Sequence, residues 1–133
     1  MDVSILSIDK IKREVQFSGA VRPLYYFVNG ILNEVKGERY SIAGIKEIGS
    51  TPFASTNISV SEPTTFYLFS DGFADQFGGK EGKKLMSKRF RELLTSIQDK
   101  SMPEQKTFLD KFMEDWKGGR AQMDDVMVIG IKL

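Results

Sequence analysis

The chain has 133 residues, with 19 Lys and Arg against 18 Asp and Glu, a net charge of +1, and neither Cys nor His. That length suits one domain or a piece of one, and so even a charge balance argues against a nucleic-acid partner held by bulk attraction. The lack of Cys excludes disulfides, a thiolate nucleophile and cysteine zinc sites, and the lack of His excludes an imidazole base and His-ligated metal. Chemistry on this chain must therefore come from carboxylates, hydroxyls, Lys, Arg or a metal held by oxygen. No apolar run approaches the ~20 residues that cross a bilayer, and the N-terminus lacks the basic, apolar and small-residue succession of a secretion signal. The expected setting is cytoplasmic, without a membrane partner.

The first part of the chain reads as β. Val3, Ile5, Leu6 and Ile8 form a strand ending near Asp9-Lys10. Glu14–Phe17 alternates, breaks at Gly19 and resumes as Leu24–Val28. Asn29-Gly30 is a strong hairpin signal, because both residues tolerate the positive φ of a type I′ turn; it returns the chain into Ile31–Val35. Lys36-Gly37-Glu38 reads as a second turn before a strand over Arg39–Ile42, and residues 43–57 read mostly as loop. Ile58–Val60 and Thr64–Phe69 are two further strands.

After Asp71-Gly72 the period changes. Leu85, Met86, Phe90, Leu93, Leu94 and Ile97 share one face of a helix expected over 81–98. Ser101-Met102-Pro103-Glu104 is a capping box opening a second helix. That helix buries Phe108, Leu109, Phe112, Met113 and Trp116, ordinary core at helical spacing, and stops at Gly118-Gly119. A last strand is expected over Val126–Lys132. The charges of residues 78–120 alternate in sign, as on solvated helix faces.

Two places carry candidate chemistry. The strand Thr64–Phe69 runs into Ser70-Asp71-Gly72, and Asp124-Asp125 stands just before the last strand. If the two strands are antiparallel neighbours, Asp71 and Asp124 meet at one rim, and Asp75 can join from a turn or a first helical turn. Gathered carboxylates repel unless a cation sits among them, and Mg²⁺ or Mn²⁺ are the hard ions that prefer oxygen. The plain alternative is a turn at Asp71-Gly72 and a solvated cap at Asp124-Asp125. On the residues alone both readings stand.

The run Phe66–Asp75 resembles the strand and [ST]-D-G-x-x-[DE] motif of the metal-dependent, protein phosphatase 2C-like serine/threonine phosphatases, in their bacterial stage II sporulation protein E-like branch. Met123-Asp124-Asp125-Val126-Met127-Val128 resembles that family's closing D-[DN]-x-[TSM] strand. Upstream, Val15–Tyr25 resembles its a-G-H-x-P-x-L hairpin, and Ser41–Gly49 its glycine-containing segment before the flap. The resemblance implies an α+β fold of two antiparallel sheets packed as a sandwich and flanked by helices. It also implies a Mg²⁺ or Mn²⁺ cluster at one end, and hydrolysis of phosphoserine or phosphothreonine by metal-bound water.

By motif position, Asp71 and Asp124 are then direct metal ligands, Asp75 serves a looser ion, and Asp125 and Gly72 stand behind them, Asp125 orienting its neighbour. Family domains are nearly twice as long, and nothing in residues 1–18 matches the D-x-x-G-[HA]-G turn of their N-terminal half. Ala20 stands where relatives carry Asp or His. The expectation is that residues 1–133 form the C-terminal half to two-thirds of such a domain. Such a piece holds at most one weakly bound ion, where the complete domain holds two, and is inactive alone. A sensor or regulatory domain is expected on the N-terminal side of the full protein, and a phosphorylated protein as substrate. Apolar surface around Phe17, Tyr25, Tyr26, Phe27 and Phe66–Phe69, left uncovered, implies a homodimer. The other functional class is a non-catalytic phosphoprotein-binding or regulatory module on the same scaffold.

Overall fold

A computed structural model of the chain describes residues 1–42 and 53–133. Alternation in the first strands sorts their side chains onto two faces. β1 (Val3–Asp9) pairs antiparallel with β2 (Glu14–Ala20) from Val3↔Ala20 to Asp9↔Glu14. The Asp9 carboxylate closes the turn between them by accepting the N–H groups of Ile11 and Lys12 at 3.0 and 2.9 Å. β3 (Leu24–Val28) and β4 (Ile31–Val35) form the expected hairpin, with Asn29 and Gly30 at φ 50° and 75°. β5 (Thr56–Ser59) joins β2, while β6 (Thr64–Phe69) lies between β3 and β9 (Val128–Lys132).

The result is a sheet of order β1-β2-β5 and a sheet of order β4-β3-β6-β9. Val15, Phe17 and Ile58 of the first pack against Leu24 and Phe66 of the second. The opposite face of the second sheet offers Tyr25, Phe27 and Tyr67 to α2 (Met86–Ser96) and α3 (Met102–Lys117), which supply Phe90, Leu94, Leu109 and Met113. β3 and β6 are thus covered on both faces, which is why they read as near-continuous apolar runs rather than alternating ones. This is the α+β sandwich with flanking helices that the sequence implies.

Six local expectations change. β5 covers Thr56–Ser59 rather than Ile58–Val60, so it starts inside the expected loop. β2 does not break at Gly19: the glycine allows the Arg22 carbonyl to approach so closely that an added Cβ would lie 2.4 Å from it. Arg39–Ile42 is not a strand; Glu38 makes a parallel bridge to Ala20, and the chain then turns. The helix expected over 81–98, α2, starts at Met86 rather than 81, because Gly79 and Gly82, at φ 65° and 61°, fold a small hairpin of β7 (Phe77–Gly78) and β8 (Lys83–Lys84) first. β9 begins at Val128 rather than Val126. Finally, of the apolar surface expected to lie bare, Phe17, Tyr25, Phe27, Phe66 and Tyr67 are at most 2% exposed and covered within the chain, while Tyr26, Leu68 and Phe69 are half-buried. The outward face of the first sheet is instead mainly polar, with exposed Ser7, Gln16, Asn57 and Ser59 around Ile5.

Of the expected loop 43–57 and the Ser41–Gly49 segment, residues 43–52 lie outside the described residues. Among the described residues, no helix is long and apolar enough to cross a membrane.

Candidate functional site at the sheet rim

β6 and β9 are antiparallel neighbours, and their last pair is Phe69↔Val128. Past that pair, Ser70 continues the join. Its N–H donates to the Met127 carbonyl at 3.0 Å, its hydroxyl donates to the Asp125 carbonyl at 2.6 Å, and its oxygen accepts the Met127 N–H at 3.0 Å. Gly72 then presses its Cα against the same segment: a Cβ there would lie 2.3 Å from the Asp125 carbonyl oxygen and 3.2 Å from that of Asp124. The Asp71 and Asp124 segments are therefore brought together as their placement on two strands suggested. α1 (Gly72–Asp75) starts at once, and the Asp75 N–H donates to the Asp71 carbonyl at 2.9 Å.

The far side of the rim hangs on Gln76, which is fully buried. Its side-chain nitrogen donates to the Phe77 and Ala121 carbonyls, both at 3.0 Å, and its side-chain oxygen accepts the Met123 N–H at 3.2 Å. Its backbone carbonyl accepts the Trp116 indole N–H at 2.9 Å. One residue thus ties the foot of α1 to the end of α3 through its backbone and to the loop that delivers Asp124 through its side chain.

Each aspartate has a partner of its own. Asp71 Oδ2 accepts from Arg22 Nη2 at 2.6 Å, and the same nitrogen donates to Asp2 Oδ2 at 3.0 Å. Asp75 Oδ1 takes Lys84 Nζ at 3.2 Å. Asp124 Oδ1 accepts the N–H of Asp125 at 2.7 Å, and both residues are exposed. The Ser41 hydroxyl hydrogen-bonds Asp2 and is the main reason that carboxyl lies below its ordinary value; desolvation opposes it, and Arg22 and the N-terminal ammonium add smaller lowering effects.

The donors are of the kind a hard divalent ion takes, but their arrangement does not fit one as it stands. Among the described residues, no three Asp or Glu side chains gather where an ion could sit between them. Asp71 and Asp75 are already paired with side-chain cations, Asp71 sharing Arg22 with Asp2. Sequence reasoning missed Arg22, Lys84 and Gln76. Ser70 carried a signal, as the [ST] of the Ser70-Asp71-Gly72 motif, whereas Arg22 and Lys84 are recognisable only once distant segments are placed beside Asp71 and Asp75.

The chain has the fold of known phosphatase domains. It superposes on the SiaA-PP2C domain of Pseudomonas aeruginosa with a TM-score of 0.87 at 29% identity, covering 99% of this chain and 51% of that one. The phosphatase domain of the cell fate determinant SpoIIE from Bacillus subtilis matches at a TM-score of 0.71 and 11% identity, over 98% of this chain and 57% of that one. A crystal form of the same domain without domain swapping matches at 0.66 and 17% identity, over 97% of this chain and 53% of that one. The chain spans between half and three-fifths of the length of these structures. No curated protein sequence matches it. The family profile of stage II sporulation protein E matches residues 1–133, and the chain belongs to that family.

Proposed function

We propose that these residues are the part of a phosphoserine/phosphothreonine protein phosphatase domain that supplies the Asp71 and Asp124 rim, and that they do not hydrolyse phosphate esters alone. Asp71 and Asp124 are the carboxylates committed to Mg²⁺ or Mn²⁺ in that domain, with Asp75 toward a looser ion. The observation that carries this reading is the join at Ser70 and Gly72, which fixes two aspartate-bearing segments side by side at the end of β6 and β9. The reading includes a phosphorylated protein as substrate, a sensor or regulatory domain elsewhere in the full protein, and a cytoplasmic setting. It also includes self-association: β1, β5, β4 and β9 are edge strands among the described residues, and unpaired edges recruit further strands.

Phosphate release from a phosphoserine peptide, measured on the purified chain in excess Mn²⁺, tests the reading. Turnover at background is expected. Robust Mn²⁺-dependent turnover would show that these residues hold a complete centre and would overturn it.

A second reading is favoured by one observation, the pairing of Asp71 and Asp75 with Arg22 and Lys84. On that reading the chain is a non-catalytic module that binds phosphoproteins. It requires peptide binding that depends on the phosphate and is indifferent to chelator.

A further inference from the structure

The position of Arg22 is unusually constrained. Val21, immediately before it, has φ 68°, a left-handed backbone that a β-branched residue adopts only where its surroundings enforce it. Those surroundings are visible. Val21 N–H donates to the Glu38 carbonyl and Glu38 N–H to the Gly19 carbonyl, both at 2.8 Å. The Arg22 carbonyl is seated against two glycines, so closely that a Cβ on Gly19 or Gly37 would stand 2.4 or 2.5 Å from it. A strained and tightly packed turn thus aims a guanidinium at Asp71, with the Arg22 side chain only 23% exposed. Strain retained in this way is common where a side chain must be held in place for function.

We propose that Arg22 is a built-in cation for the rim, occupying the Asp71 carboxylate that a divalent ion would otherwise take. The ion binds Asp71 only by displacing the guanidinium. The device has two positions, because Arg22 Nη2 touches Asp2 as well as Asp71. When an ion claims Asp71, the guanidinium stays paired with Asp2. Asp2 is itself anchored by Ser41, and the neighbouring Met1 and Ile42 exchange backbone hydrogen bonds at 2.9 and 2.8 Å. The Asp71 carboxylate therefore already has a cationic partner, and its affinity for metal is lower than a free carboxylate would give. This inference rests on the assignment of Asp71 as a metal ligand, and its test separates the two.

Mn²⁺ binding is measured by calorimetry on the 133-residue chain and on Arg22→Gln, Asp71→Asn and the double variant. Arg22→Gln is expected to bind Mn²⁺ about tenfold more tightly, equivalent to about 1.4 kcal/mol, and the double variant to lose that gain. Binding by Arg22→Gln no tighter than by the parent, with Asp71→Asn weakening the parent, overturns the inference and leaves the ligand assignment standing. Indifference to Asp71→Asn in both backgrounds refutes the ligand assignment and the inference with it. Should Arg22→Gln fail to fold, magnetic resonance on the parent decides. On addition of Mg²⁺ the Arg22 guanidinium signals must move in step with the Asp71 carboxyl carbon. An Asp71 response with Arg22 unmoved overturns the displacement, and no Asp71 response refutes the ligand assignment.

Discussion

Replacing Gly72 by Ala tests the geometry on which the rim depends. The new Cβ would lie 2.3 Å from the Asp125 carbonyl oxygen and 2.8 Å from its carbon, about 1 Å inside the ~3.3 Å at which carbon ordinarily meets such an oxygen. Both obstacles are backbone, so no side chain can rotate away. The chain must instead splay the ends of β6 and β9, and the Ser70 hydrogen bonds to Asp125 and Met127 lie across that opening. Overpacking of this kind costs about 1–3 kcal/mol and a weakened hydrogen bond about 1 more. The expected loss is therefore about 2–4 kcal/mol, a fall in Tm of roughly 10 °C for a domain this size.

Thermal unfolding followed by circular dichroism measures it. Gly119→Ala, where an added Cβ meets nothing within 4 Å, is the reference substitution. Amide chemical shifts should change most at 70–72 and 124–127. If Gly72→Ala melts with Gly119→Ala, the two aspartate segments are not held against each other as described.

Three further outcomes follow from buried and paired groups. Tyr67→Phe leaves the Gln105 and Gln98 side chains without the phenol that contacts them at 2.5 and 2.9 Å, and should cost about 1–3 kcal/mol in urea denaturation. Burial raises the Tyr67 phenol above its ordinary 10.0. Its share of stability is therefore complete below pH 10 and lost as pH rises through the folded value, and the Phe variant should lack that alkaline decline. At the acid end, Ser101 hydrogen bonds lower Glu104, so its contribution is present above the ordinary value of 4.5 and fades as pH falls through the lowered one; Ser101→Ala should shrink the acid limb of a pH–stability profile. Gln76→Leu frees Ala121 and Met123 and should cost about 1–3 kcal/mol, with faster hydrogen exchange over residues 121–127. Unchanged exchange there would show that Gln76 does not hold the Asp124 loop.

Features set by local backbone chemistry were legible in the sequence. Asn29-Gly30 announced its hairpin, Ser101 and Glu104 the start of α3, and the apolar run ending in Ser70-Asp71-Gly72 the rim. Features set by distant contact were not. The start of α2 was masked because Leu85 and Met86 continue the apolar helical pattern, while Gly79 and Gly82 fold a hairpin just before it. Arg39–Ile42 alternates like a strand, yet its neighbourhood is taken by the Ala20–Glu38 bridge. Nothing in Val21-Arg22-Pro23 announces that its cation reaches Asp71, because that contact exists only after the first strand, the β2–β3 turn and the end of β6 converge.

β6 sends Phe66 into the layer between the sheets and Tyr67 into the layer beneath the helices. A strand shared in this way couples two interiors that could otherwise loosen independently. Disturbing α2 or α3 should therefore be felt between the sheets, and above all where β6 ends, at Asp71. The same sharing sets a limit on redesign: neither layer can be repacked by itself without shifting the carboxylate that the other helps to place.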